Sequence, residues 1–92
     1  MAQAARHTLA VGPEVEQILK ALKKKNPDLF REVEAGVNKL LRSPESGKPL
    51  RNILRNCRRI HIASSFVLLY EIKEMTIILL DFDHHDKIYK KK

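Results

Sequence analysis

Residues 66–85 read FVLLYEIKEMTIILLDFDHH, and the fold follows from how this stretch divides. Phe66 to Ile72 is rich in strand formers, and Phe66, Leu68, Tyr70 and Ile72 alternate onto one face. Lys73-Glu74 supplies a tight turn, after which Thr76 to Asp83 returns as an antiparallel partner. Ile77-Ile78-Leu79-Leu80 is apolar on both faces, the pattern of a central strand rather than an edge. Arg58 to Ala63, just upstream, reads as a shorter strand of the same sheet.

The first half of the chain is helical by period. His7 to Val11 forms a short opening strand, and Gly12-Pro13 starts a helix, with proline at the position where its missing N–H costs nothing. Val15, Ile18, Leu19 and Leu22 recur at helical spacing, and Lys23 to Lys25 complement the C-terminal end of the helix dipole. Asn26-Pro27-Asp28 restarts the pattern with a cap, a first-turn proline and an acid. Leu29, Val33, Val37, Leu40 and Leu41 mark the second helix, which ends before the loop Ser43-Pro44-Glu45-Ser46-Gly47. The expected class is α+β in the order β-α-α-β-β-β. An antiparallel helical hairpin packs on one face of a mainly antiparallel four-stranded sheet, leaving the other face for a site.

The chain has 92 residues, 43% hydrophobic and 32% charged, which predicts one small domain with a single modest core. No run approaches the roughly 20 apolar residues of a membrane span. The first residues lack the apolar core of a secretory signal. The single cysteine, Cys57, excludes an internal disulfide and any multi-cysteine metal site. A cytoplasmic protein is expected.

Net charge is +7, and five of the cations, Lys48, Arg51, Arg55, Arg58 and Arg59, fall in one twelve-residue stretch with no acid among them. A concentrated basic segment suits a polyanion or an acidic protein partner. Four arginines against one lysine lean toward phosphate contact, because the guanidinium fork binds phosphate oxygens in pairs. Arg58 and Arg59 alternate faces in a strand, so one is expected to meet the ligand and the other solvent.

Near the end stands DFDHHDKIY, residues 81–89. Two imidazoles and a phenol where a buried strand reaches the surface suit proton transfer, since histidine titrates near neutrality. His84 and His85 are successive strand residues and point to opposite faces, so only one can enter a given site. No metal site is expected from His84, His85 and Asp86.

The element order, KPLRNILRNCRRIHIASSFVLLYEI (residues 48–72) and DHHDKIY (residues 83–89) together resemble the RelE/ParE toxin superfamily, and within it the YafQ-like mRNA interferases. Those proteins carry HPL, a basic stretch, CHI, an acidic residue, an apolar strand ending in tyrosine, and TH before an aromatic. The spacing is shared without a gap from Lys48 through Tyr89. The resemblance implies a toxin of a type II toxin–antitoxin system, a metal- and cofactor-independent endoribonuclease that cleaves mRNA on the ribosome. The ribose 2′-OH attacks the adjacent phosphorus, leaving a cyclic phosphate and a free 5′-OH. It further implies His85 as general acid, His61 as the residue that activates the 2′-OH or steadies the phosphate, and Tyr89 as the aromatic beside the scissile bond. Arg51, Arg55, Arg58 and Arg59 supply RNA and phosphate contacts.

Two positions depart from the pattern. Lys48 replaces a histidine and Ser65 an aspartate, so the general base is not given by the resemblance. Lys48 retains the capacity to stabilise charge on the phosphorane. The implied partners are a small cognate antitoxin in a hetero-oligomer, the ribosome and mRNA. Two other readings stand beside this one: a ParE-like inhibitor of DNA gyrase, and a weakened toxin that binds antitoxin and RNA without efficient cleavage.

Overall fold

The computed structural model describes residues 7–50 and 57–88. The elements run β1 (Thr8–Val11), α1 (Pro13–Lys25), α2 (Pro27–Arg42), a 3₁₀ turn (Pro44–Ser46), β2 (Lys48–Pro49), β3 (Cys57–Ile62), β4 (Phe66–Lys73), β5 (Thr76–His84) and α3 (His85–Ile88). The sheet order is β1-β5-β4-β3-β2. Only β1 pairs in parallel, with β5; the other ladders are antiparallel.

The α+β class and the element order hold, with five strands among the described residues in place of four. The additional strand, β2, pairs Lys48 with Arg59 and Pro49 with Arg58. Two residues, one of them proline, carry no periodicity to read. Proline fits here because an edge strand can lack a ladder N–H. The hairpin turn lies one residue later than expected, at Glu74-Met75, since Lys73 still pairs with Thr76. Helix α3 was also not anticipated: the strand stops at His84, and one short turn of helix begins at His85.

The helices form where the local chemistry starts and stops them. Asn26 ends α1 with its amide bonded to the Leu22 carbonyl. The same residue caps α2, its Oδ1 accepting from the Leu29 amide at 3.2 Å, so one residue joins the two helices. Val15 of α1 and Leu29, Val33, Val37 and Leu40 of α2 are buried against Ile62, Leu68, Tyr70, Ile77, Leu79 and Phe82 of the sheet. Gly36 lets α2 approach β3 closely, because a Cβ there would sit 2.8 Å from the Ile62 Cδ1.

A β-bulge sets the phase of β5. Leu69 pairs with Asp81 but Tyr70 pairs with Leu79, leaving Leu80 as the extra residue. Ile77 and Leu79 before the bulge, and Phe82 after it, therefore all face the helices. Leu80 joins a second, smaller apolar cluster with Val67, Leu69, Ile88 and Leu50. The face away from the helices thus has an apolar floor of its own, with Ile88 of α3 fully buried on it.

Tyr70, fully buried in β4, pins the loop that leads into β2. Its hydroxyl donates to the Pro44 carbonyl at 2.6 Å and accepts from the Gly47 amide at 3.0 Å. A Cβ at Gly47 would press on the Tyr70 hydroxyl and lie 2.6 Å from the Arg59 carbonyl. Burial pushes the Tyr70 phenol above its usual value of 10.0, with Glu45 acting in the same direction and the Gly47 amide and Arg58 opposing it.

Replacing Tyr70 by phenylalanine leaves the Gly47 amide and the Pro44 carbonyl without this partner, so urea denaturation should show a loss of about 1–3 kcal/mol. The raised pKa means that the unfolded chain ionises first. Tyr70 contributes its full stability below the unfolded value of 10.0, and that contribution falls as pH rises beyond it. Tyr70→Phe should lack this alkaline decline relative to wild type. Gly47→Ala should be destabilising as well, because both atoms it meets are held in place.

Candidate functional site

Cross-strand partners share a face, so the pairing of Arg59 with Leu69 and of His61 with Val67 puts both residues on the side away from the helices. Beside them, β2 stops after Pro49, and no strand flanks the rest of β3 among the described residues. A cleft of about 280 Å³ opens at this edge, lined by Lys39, Ser46, Lys48, Arg59, Ile60 and His61. Three cations and an imidazole thus border one hollow. A larger hollow of about 470 Å³, lined by His7, Pro44, Glu45, Ile72 and Glu74 among others, gathers no comparable set of groups.

His85 reaches the same place from β5, two strands away at the same end of the sheet. Its ring stacks on that of His61, with centroids 5.9 Å apart and planes inclined by 26°. The His85 amide donates to the Ser65 carbonyl at 2.8 Å, tying the start of α3 to the β3–β4 turn. That turn is tight: Ala63 and Ser64 both have positive φ, 53° and 68°, values in the left-handed region that residues with a Cβ adopt uncommonly. Position 65, where an aspartate would match the interferase pattern, thus supports His85 through its backbone carbonyl.

Hydrogen bonding places a proton on Nδ1 of both imidazoles, set by different partners. Arg59 Nη1 lies 3.4 Å from His61 Nε2, and since a guanidinium only donates, Nε2 must be the acceptor. His61 in this contact is the neutral ring with its proton on Nδ1. His85 Nδ1 lies 3.3 Å from Asp86 Oδ1, a carboxylate that accepts that N–H. His61 is therefore arranged to take a proton at Nε2, while the carboxylate orients His85 through Nδ1.

Of the residues expected at the site, Lys48, Arg59, His61 and His85 come together. Arg58 does not: its guanidinium lies toward the loop before β2, donating to the Gly47 carbonyl at 2.8 Å and the Glu45 carbonyl at 3.4 Å. The expected alternation of Arg58 and Arg59 is observed, but Arg58 is bound to protein carbonyls instead of meeting only solvent. Arg51, Arg55 and Tyr89 lie outside the described residues. Lys39 and Asp86 were not anticipated. Lys39 sits in the last turn of α2, which sequence explains as dipole complementarity, and its place in the cleft depends on how α2 lies over the sheet. Asp86 was visible beside His85, but as an orienting carboxylate it becomes legible only once α3 is seen. Among the described residues, no group of three or more histidine, cysteine, aspartate or glutamate side chains could hold a metal ion. None of their helices is long and apolar enough to cross a membrane.

Comparison with known proteins places this geometry in a family. The model of the ParE toxin of the type II toxin–antitoxin system parDE matches residues 6–89. A Methanocaldococcus jannaschii protein provisionally named toxin RelE4 is 35% identical over 88 residues, covering 94% of each chain. Among solved structures, the toxin–antitoxin complex RelBE2 of Mycobacterium tuberculosis aligns with a TM-score of 0.73 at 26% identity, covering 92% of this chain and 98% of that one. YafQ of Escherichia coli shares the fold, with a TM-score of 0.74 at 11% identity, covering 91% of this chain and 99% of that one. Matched over nearly its whole length, the chain belongs to the ParE toxin family of type II toxin–antitoxin systems, within the RelE/ParE superfamily.

Proposed function

We propose that this toxin is a metal-independent endoribonuclease acting on mRNA in the translating ribosome. The observation that carries the reading is the stacked pair His61 and His85, 5.9 Å apart, beside a cleft lined by Lys48, Arg59 and Lys39. Rings this close can both serve one phosphodiester through hydrogen bonds of about 2.6–3.2 Å. His61 accepts the 2′-OH proton at Nε2, the attacking oxygen forms its bond to phosphorus, and the P–O5′ bond breaks. His85, as the imidazolium with its Nδ1–H held by Asp86, gives the proton on Nε2 to the departing 5′-oxygen. The products are a 2′,3′-cyclic phosphate and a free 5′-OH, with no net oxidation and no external reactant.

Arg59 links binding to this chemistry. In the free protein it donates to His61 Nε2, the atom that must accept the proton. A phosphate entering the cleft draws the guanidinium into a charge-assisted contact and releases Nε2 for the 2′-OH. Lys48 and Lys39 stabilise the charge that develops on the phosphorane. This arrangement needs neither a histidine at position 48 nor a carboxylate at 65 as general base. Arg58, bound to the loop carbonyls, supports the cleft wall instead of contacting RNA. The protein works in the cytoplasm, where ribosomes and mRNA are found.

The antitoxin partner is inferred from the family and from the RelBE2 neighbour, which is itself a toxin–antitoxin complex. A second surface suits it. Leu9 and Val11 on β1, 42% and 36% exposed, border an apolar groove of about 280 Å³ with Leu19, Phe30, Val37 and Leu41. Lys20 and Lys23 line the adjoining hollow. An amphipathic segment with acids at its margin fits this combination. The ParE name of the matching family favours one other reading, inhibition of DNA gyrase, which requires no proton-transfer pair.

Primer extension on mRNA from a cell-free translation reaction tests the nuclease. Wild-type protein should produce new, codon-phased 5′ ends. His85→Ala and His61→Ala should each reduce the cleavage rate by about 10²–10⁴-fold. Absence of cleavage by the wild type, together with loss of supercoiling activity when gyrase is supplied, would establish the gyrase reading instead. Arg59→Ala should weaken cleavage without lowering the urea midpoint, whereas Arg58→Ala should lower the midpoint. Leu9→Glu with Val11→Glu should reduce capture by the co-expressed antitoxin and leave cleavage intact.

A further inference from the structure

The adjacent histidines have separate tasks. His84 ends β5 and His85 begins α3, and their rings go to opposite sides of the sheet. The His84 ring meets Phe66 edge-on, with centroids 5.5 Å apart at 75°. Phe66 in turn stacks on buried Phe82 at 5.4 Å, so one side of the His84 ring rests on the main core. At the other side its Nδ1 accepts the backbone N–H of Asp86 at 3.2 Å. This is a helix-capping bond, made by an imidazole where serine, threonine, asparagine or aspartate commonly serves. An Nδ1 that accepts carries no proton, so the ring is the neutral tautomer with its hydrogen on Nε2.

We infer that His84 is the positioning residue for His85: it holds the first turn of α3 so that the His85 ring stacks against His61. Its bond fixes the Asp86 backbone, and Asp86 presents the carboxylate that lies 3.3 Å from His85 Nδ1. The His85 amide is anchored independently, to the Ser65 carbonyl at 2.8 Å. The backbone entering α3 is thus held before and after His85, once by the β3–β4 turn and once by the His84 ring. A helix of four residues has too few internal hydrogen bonds to fix its own geometry. The cap matters here for that reason. His84 touches neither RNA nor the reacting atoms in this account. The catalytic consequence rests on the nuclease reading, but the positioning itself does not.

Two substitutions separate the capping bond from the ring. His84→Ala removes the acceptor, whereas His84→Asn keeps an acceptor oxygen where Nδ1 stood. NMR of protein labelled with ¹⁵N at histidine should show the Nε2–H tautomer for His84 and a ring-to-ring NOE between His61 and His85. The NOE should vanish in His84→Ala and persist in His84→Asn. In the translation reaction, His84→Ala should lower the cleavage rate at saturating ribosomes by about 10–100-fold through misplacement of His85. The ribosome concentration for half-maximal rate should be unchanged, and His84→Asn should restore the rate to near wild type. A retained His61–His85 NOE in His84→Ala, or wild-type cleavage by that variant, overturns the inference. Cleavage that survives His85→Ala, or is absent from the wild type, overturns the nuclease reading instead. In that case the NOE comparison still decides the positioning role.

Discussion

The single extra residue in β5 governs the arrangement of both faces of the sheet. Ile77 and Leu79 must lie beneath the helices, and so must Phe82, yet the last is out of step with the first two in a period of two. The bulge at Leu80 absorbs the mismatch. Without it, an unbroken register would turn Asp81 and Asp83 toward the apolar layer formed by Val15, Leu40 and Tyr70, where unpaired carboxylates are costly. With it, Phe82 fills the core, His84 comes to rest against Phe66, and the chain leaves the sheet on the side where His61 stands. The end of β5 is thereby delivered to the end of β3.

Neighbouring residues repeatedly divide structural from chemical work. Arg58 and Arg59 are alike in composition and opposite in use. One binds the carbonyls of Glu45 and Gly47 next to the buried Tyr70 hydroxyl; the other donates to His61 in an open cleft. His84 and His85 divide in the same way, by a change of element between them. In each pair the inner residue fixes backbone that carries part of the site. Tyr70 and Arg58 hold the loop entering β2, which carries Lys48. His84 holds the turn that carries His85. The cationic cleft and the imidazole pair, joined through the Arg59–His61 contact, are thus also supported by buried or half-buried contacts.

An imidazole pair at a sheet edge has a physical advantage in a small protein. The groups remain reachable by a large substrate, and neither imidazole has to be buried as a charged species. Their placement still needs rigidity, and the apolar floor of Val67, Leu69 and Ile88 provides it on the face away from the helices. The helix-side core supports the other side of the same strands.

The sequence by itself determined the parts whose causes are local. Helical period, the Asn26-Pro27 restart and the alternation in Phe66–Ile72 specify two helices and a hairpin, because caps, turns and amphipathic faces act over a few residues. It also showed the concentration of arginine and the DHHD run, which identify the chemistry available. The tertiary structure decided which of those groups meet. His61 and His85 are joined by a register running across β3, β4 and β5, and β2 exists only as a partner for Arg58 and Arg59. The bulge is visible in the phase of Ile77, Leu79 and Phe82 only when the buried face is known. Whether an arginine faces a loop carbonyl or an open cleft, and whether a histidine ring packs on a phenylalanine or on another imidazole, depends on groups distant in sequence. Composition offers the same donors and acceptors in either case; only packing fixes their partners.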